Sequence, residues 1–161
     1  MGKILIETVE VGSGGAASIE FTSIPQDGVH LLALVSVRST STQMQINLNG
    51  SSAAFSGIRL FGNGSAVTSG TETVEIGNWS ATTDTSSTFG NASIYIPNYT
   101  SSENKSIATD SIRENNATGA NQVLNSTVWS NTAPITSLWL GRVGQTIQQY
   151  SSVSLYKITA D

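Results

Sequence analysis

The sequence predicts an all-β protein, a single antiparallel β-sandwich of jelly-roll-like type, on three observations. Apolar residues recur mostly at every second position, clusters of Gly, Asn and Pro punctuate the chain at short intervals, and no window of a dozen residues carries a helical repeat. Composition supplies a mechanism for the third: 56 of the 161 residues are Ser, Thr or Asn, whose side chains hydrogen-bond nearby backbone and so compete with helix.

Taken in chain order, Ile4 and Ile6 lead towards Val9 and Val11 as a half-buried strand ended by Gly12-Ser13-Gly14-Gly15. Ile19 and Phe21 flank Glu20 before the turn Pro25-Gln26-Asp27-Gly28. Residues 29–37 form the densest apolar run and read as a central strand buried on both faces. Met44, Ile46 and Leu48 alternate with Gln45 and Asn47, and Asn49-Gly50, the strongest short hairpin signal, closes that strand. Strands follow at 57–61 and 67–76, separated by Gly62-Asn63-Gly64. Segments 79–88 and 99–105 read as longer surface loops. Gly90-Asn91 reads as a turn before the strand of Ile94 and Ile96, and Pro97-Asn98 as the turn after it. Strands at 106–112, 122–129, 136–140 and 153–158, with a turn from Gly141 to Gly144, complete a set of about ten. With no internal repeat and no linker, residues 1–161 are expected to form one domain, long enough for one ordinary core.

Charge excludes several function classes. Eleven acids face seven bases, only 11% of residues are charged, and 38% are hydrophobic. A net charge of −4 with scattered bases (Lys3, Arg38, Arg59, Lys105, Arg113, Arg142, Lys157) argues against nucleic acid. Absence of cysteine excludes disulfides and cysteine-ligated zinc. The longest apolar run is far short of a membrane span, and no secretory signal is visible at the N-terminus. Eight Asn-x-Ser/Thr triplets, starting at Asn49, Asn63, Asn78, Asn91, Asn98, Asn104, Asn116 and Asn125, follow from composition.

Catalytic constellations are sparse. A hydrolytic triad needs a histidine base, and the one histidine, His30, opens the most apolar segment, where a satisfied structural ring is expected. The acids fall in no calcium-loop spacing; Glu72 and Glu75, the densest pair, are expected to decorate a strand and its turn. Gly12-Ser13-Gly14-Gly15 lacks the lysine of a phosphate loop. Two distant carboxylates meeting in a glycosidase cleft are invisible in sequence, but the depletion of charge disfavours them. The chain is therefore expected not to be an enzyme and to need no cofactor or metal.

Aromatic residues carry the better binding signal: Trp79, Tyr95, Tyr99, Trp129, Trp139, Tyr150 and Tyr156 sit among Asn, Gln and Ser, the surroundings that suit sugars with their apolar faces and hydroxyls. Trp79 and Tyr99, at loop edges, are expected to be exposed. Tyr95, Trp139 and Tyr156 are expected to pack in the core or against a neighbouring subunit. The candidate contact residues are thus Trp79, Tyr99, Trp129, Trp139 and Tyr156.

The ordered segments Ile19-Glu20-Phe21-Thr22-Ser23-Ile24-Pro25-Gln26, Leu34-Val35-Ser36-Val37-Arg38, Ile46-Asn47-Leu48-Asn49-Gly50 and Arg59-Leu60-Phe61-Gly62-Asn63-Gly64-Ser65 resemble a family of small virion proteins of tailed bacteriophages, frequent among aquatic and cyanobacterial phages. The second half continues the resemblance through Ile94-Tyr95-Ile96-Pro97-Asn98-Tyr99, Lys105-Ser106, Glu114-Asn115-Asn116-Ala117, Trp129-Ser130-Asn131-Thr132 with Ile135-Thr136-Ser137-Leu138, and Gln149-Tyr150-Ser151-Ser152 leading to Leu155-Tyr156. The resemblance implies a jelly-roll-like sandwich without enzymatic activity. Its expected place is the virion, on the capsid exterior as a cement (decoration) protein that binds the major capsid protein, after synthesis in the host bacterial cytoplasm. A fibre, tail or baseplate module, or a glycan-binding adhesion domain, is the alternative. A start methionine and the lack of a coiled-coil stem favour a stand-alone chain. The low charge leaves sheet edges unguarded, so a homotrimer is expected, with strands carrying Trp129, Trp139 or Tyr156 at its inter-subunit faces.

Overall fold

The computed structural model describes residues 2–114 and 119–160, and these form an all-β sandwich of two antiparallel sheets. Residues 115–117 of the resemblance and the triplet at Asn116 lie outside the described residues. In chain order the strands are β1 (Lys3–Glu10), β2 (Ser18–Phe21), β3 (His30–Ser39), β4 (Gln43–Leu48), β5 (Phe55–Gly62), β6 (Val67–Glu72), β7 (Glu75–Asn78), β8 (Ser80–Ala81), β9 (Gly90–Ile96), β10 (Lys105–Glu114), β11 (Ala120–Trp129), β12 (Leu138–Gly141) and β13 (Ser152–Ile158). The large sheet runs β1-β13-β3-β9-β10-β11-β5-β6, with the short β8 parallel to the end of β3; the small sheet runs β2-β12-β4-β7.

Period-two patterning builds both inner faces. Leu31, Ala33, Val35 and Val37 of β3 meet Phe21, Ile46, Leu138 and Leu140 of the small sheet in one continuous buried cluster. Burial of each of the larger side chains among them contributes about 1.5–3 kcal/mol. β3 is central in its sheet but is buried on one face alone: Leu34 is 39% exposed, so the dense run 29–37 does not have the double burial its composition suggests. An antiparallel sheet with one covered face needs only every second residue inside, and the small sheet covers one side.

Two turns and one strand behave differently from their sequence signals. Asn49 (φ 52°) and Gly50 (φ 72°) make the expected tight turn, yet its pairing stops at Leu48 and Ser51 and the chain crosses to the large sheet. The predicted strand 67–76 is two strands, β6 and β7, in different sheets. Gly90 lies inside β9: a Cβ there would come within 2.6 Å of the Ser80 amide nitrogen and 2.9 Å of the Trp79 Cα. Close approach of two backbones, rather than a turn, needs glycine at that position.

Segment 79–88 is also no free surface loop. The Arg38 guanidinium donates to the carbonyls of Thr82, Asp84, Thr85 and Thr88 at 2.8–3.1 Å, and the Asp84 carboxylate accepts the Ala81 amide at 2.8 Å. These bonds tie the segment to the end of β3, and its first residue, Trp79, is 1% exposed.

Candidate functional site

The outer face of the large sheet departs most from what a solvated surface needs. Antiparallel sheets with one face in water alternate apolar inside and polar outside. Here cross-strand register instead lines up Leu5, Tyr156, Leu32, Tyr95 and Ala108 from β1 to β10, and continues through Ser126 to Ile58 on β5. One row over, Leu34 and Ser93 lead through Asp110 to the pair Leu124 and Leu60. Ile58 is 58% exposed and Leu60, Leu124 and Val128 are all above 40%. From β13 to β6 these rows carry one carboxylate, Asp110, whose Oδ1 accepts a hydrogen bond from Gln122 Nε2 at 3.2 Å.

Three depressions indent this face. One of about 360 Å³ is polar, with Ser36, Asn91, Ser93, Asp110, Ser152 and Ser154 around Leu34. A second of about 340 Å³ is apolar, formed by Tyr95, Pro97, Ala108 and Val128. The third, about 180 Å³, lies between Leu60, Val67 and Leu124. His30 borders the second: its ring packs against Tyr95 at 5.5 Å, and its Nδ1 accepts the Asn98 amide at 3.2 Å. Lys3 Nζ sits 4.7 Å from the centre of the Tyr156 ring at the β1 end. The arrangement suits a broad, complementary protein surface, because apolar side chains with interspersed hydroxyls bind by shape and desolvation rather than by charge.

The five sequence-derived candidates are not brought together. Trp79, Tyr99 and Trp129 are corrections: each is 1% exposed or less and belongs to the core, so none can meet a partner. Trp79 belongs to the buried cluster between the sheets. Tyr99 is held under the Pro25 turn, where its hydroxyl donates to the Pro25 carbonyl and accepts the Gly28 amide at 3.2 Å; burial raises its pKa above the usual 10.0. Trp129 packs on Phe55, ring centres 6.1 Å apart, inside its own subunit, which removes it from any inter-subunit face. Tyr156 and Trp139 are half-buried on outward faces, Tyr156 on the large sheet and Trp139 on the opposite side of the sandwich. Tyr95, expected in the core or against a subunit, is 37% exposed at the centre of the large face.

No family model, curated protein or solved structure matches this chain. Among the described residues no three His, Asp or Glu side chains gather where they could hold a metal ion, and no helix is long and apolar enough to cross a membrane. The residues that sequence reasoning missed are Ile58, Leu60, Leu124 and Val128. Their signal was present as apolar residues at both parities along β5 and β11, but period-two reading assigns every apolar residue to the inside.

Proposed function

We propose that the chain is a non-enzymatic structural protein of a tailed-bacteriophage virion, a jelly-roll-like capsid cement that docks on the assembled head through the outer face of its large sheet. The observation that carries this reading is the exposed apolar and hydroxyl-rich character of that face, with Asp110 as its central charge. Exposed apolar patches of this kind mark interaction surfaces. A ligand that binds the assembled shell alone lowers its free energy by RT ln(1 + [L]/Kd), and the effect multiplies over many copies. The major capsid protein is the partner that fits, and the capsid exterior the location. Three copies around a local three-fold position would add their contacts as avidity, which supports a homotrimer. A fibre, tail or baseplate module would use the same face against another virion protein. Light scattering checks the trimer: a 16.8 kDa species at micromolar concentration contradicts preassembly. Shells prepared without the chain should disassemble at lower temperature, and unchanged shell stability would contradict the cement role.

A further inference from the structure

The opposite side of the sandwich carries a different surface. The outward positions of β12 are Trp139 and Gly141; Trp139 pairs across the sheet with Glu20 of β2 and Asn47 of β4, and Gly141 with Ser18 and Gln45. The indole therefore has a carboxylate on one flank and carboxamides on the other. Gly141 decides where the ring lies, because a Cβ there would come within 2.7 Å of Cζ2 and 2.8 Å of Cη2 of Trp139. Any larger residue would displace the ring. Trp139 is half-buried, with part of its surface open to solvent. The side chains of Glu20, Gln45 and Asn47 and the indole N–H are accessible to solvent and make no hydrogen bond with any described residue. An aromatic plate with solvent-accessible acceptors and donors on both flanks offers the two things a pyranose requires: an apolar surface for its C–H face and partners for its hydroxyls. Glu20 has no base paired with it among the described residues, and Arg142, three positions after Trp139, is bound to Glu75 at 2.6 Å. An acidic sugar would be repelled by Glu20, so the class that fits is neutral.

We propose that the small-sheet face around Trp139 binds a neutral saccharide through one pyranose ring. This stands on the small sheet alone and does not require the large face to dock on a shell. If that face does dock, the saccharide site points away from the capsid, into the medium.

Tryptophan fluorescence of the full chain, titrated with neutral oligosaccharides of glucose, N-acetylglucosamine and rhamnose, tests it. Trp79 and Trp129 are buried, so a response reports Trp139. The expected result is a saturable change with at least one of the three. It should be abolished by Trp139→Ala and weakened about tenfold by Gln45→Ala or Asn47→Ala, the loss of one polar contact. Gln45→Ala and Asn47→Ala leave the core untouched and keep the test decisive if Trp139→Ala does not fold. No saturable change with any of the three, or a change that survives these substitutions, overturns the proposal. Loss of shell binding in Gln45→Ala would also overturn it, by assigning this face to the capsid; unaltered shell binding together with lost saccharide binding supports it and separates the two readings.

Discussion

Buried polar groups at the residue scale control stability in ways a hydropathy pattern hides. Tyr99→Phe leaves the Gly28 amide without its acceptor and the Pro25 carbonyl without its donor, and should cost about 1–3 kcal/mol in a denaturant titration. Because burial raises the Tyr99 pKa, the folded chain keeps a proton that the unfolded chain releases near 10.0. That contribution is complete below pH 10 and is lost as pH climbs through the raised value, so Tyr99→Phe should flatten the alkaline limb of a stability profile. Lys105 acts in the other direction: burial lowers its pKa from 10.5, its ammonium being held by the carbonyls of Ser101 and Glu103. Thr109 offers the converse test. Its buried hydroxyl, opposite Asn125 on the inner face, has no partner among the described residues. Thr109→Val should therefore raise stability by about 1 kcal/mol, read as a shift of the unfolding midpoint at unchanged slope. None of this was legible in the sequence, where Tyr99 read as an exposed contact candidate and Thr109 as an ordinary strand residue; the partners that satisfy Tyr99 are 71 and 74 positions away in the chain.

Strand existence was the most legible property at the scale of elements, because alternation at period two survives any arrangement of the sheets. Pairing was not. Asn49-Gly50 makes its turn, but whether a turn closes a hairpin or sends the chain to the other sheet depends on which edge is free, and β4 already lies between β12 and β7. The split of 67–76 has the same origin: β6 extends the large sheet from β5, while β7 packs beneath β10 and β11, and residues 73–74 make the change of layer. Segment 79–88 was read as a loop from its Ser and Thr content, and apart from β8 it is one in conformation; its tether is Arg38, which composition could not connect to it. Arg38→Ala removes four charge-assisted hydrogen bonds to carbonyls and should cost about 2–3 kcal/mol. Hydrogen exchange checks this: amides of 79–88 should lose protection while those of β10 and β11 keep theirs. Protection that is unchanged in 79–88 would mean that the pairing of β8 with β3 holds the segment without the guanidinium.

For the whole molecule, the two-sheet antiparallel sandwich follows from composition and periodicity, whereas the exposed apolar face could be read only once register was known. Ile58, Leu60, Leu124 and Val128 lie on strands adjacent in space, 64 positions apart in sequence for the pair Leu60 and Leu124. The aromatic residues drew attention in the sequence because large rings are conspicuous, yet three of the five candidates fill the core, where rings of that size contribute most to burial. Docking through a face with so little charge should depend weakly on salt, since screening acts on exposed charges and hardly on apolar contact. The most direct measurement is thermal disassembly of shells with the chain supplied as wild type or as Leu60→Lys/Leu124→Lys, both positions being exposed so that the isolated domain keeps its fold by circular dichroism. Docking through the large sheet requires wild type to raise the disassembly temperature at low and moderate salt alike, and the double variant to remain unbound and leave the shells as labile as those without the chain. Full stabilisation of the shells by the double variant would contradict it.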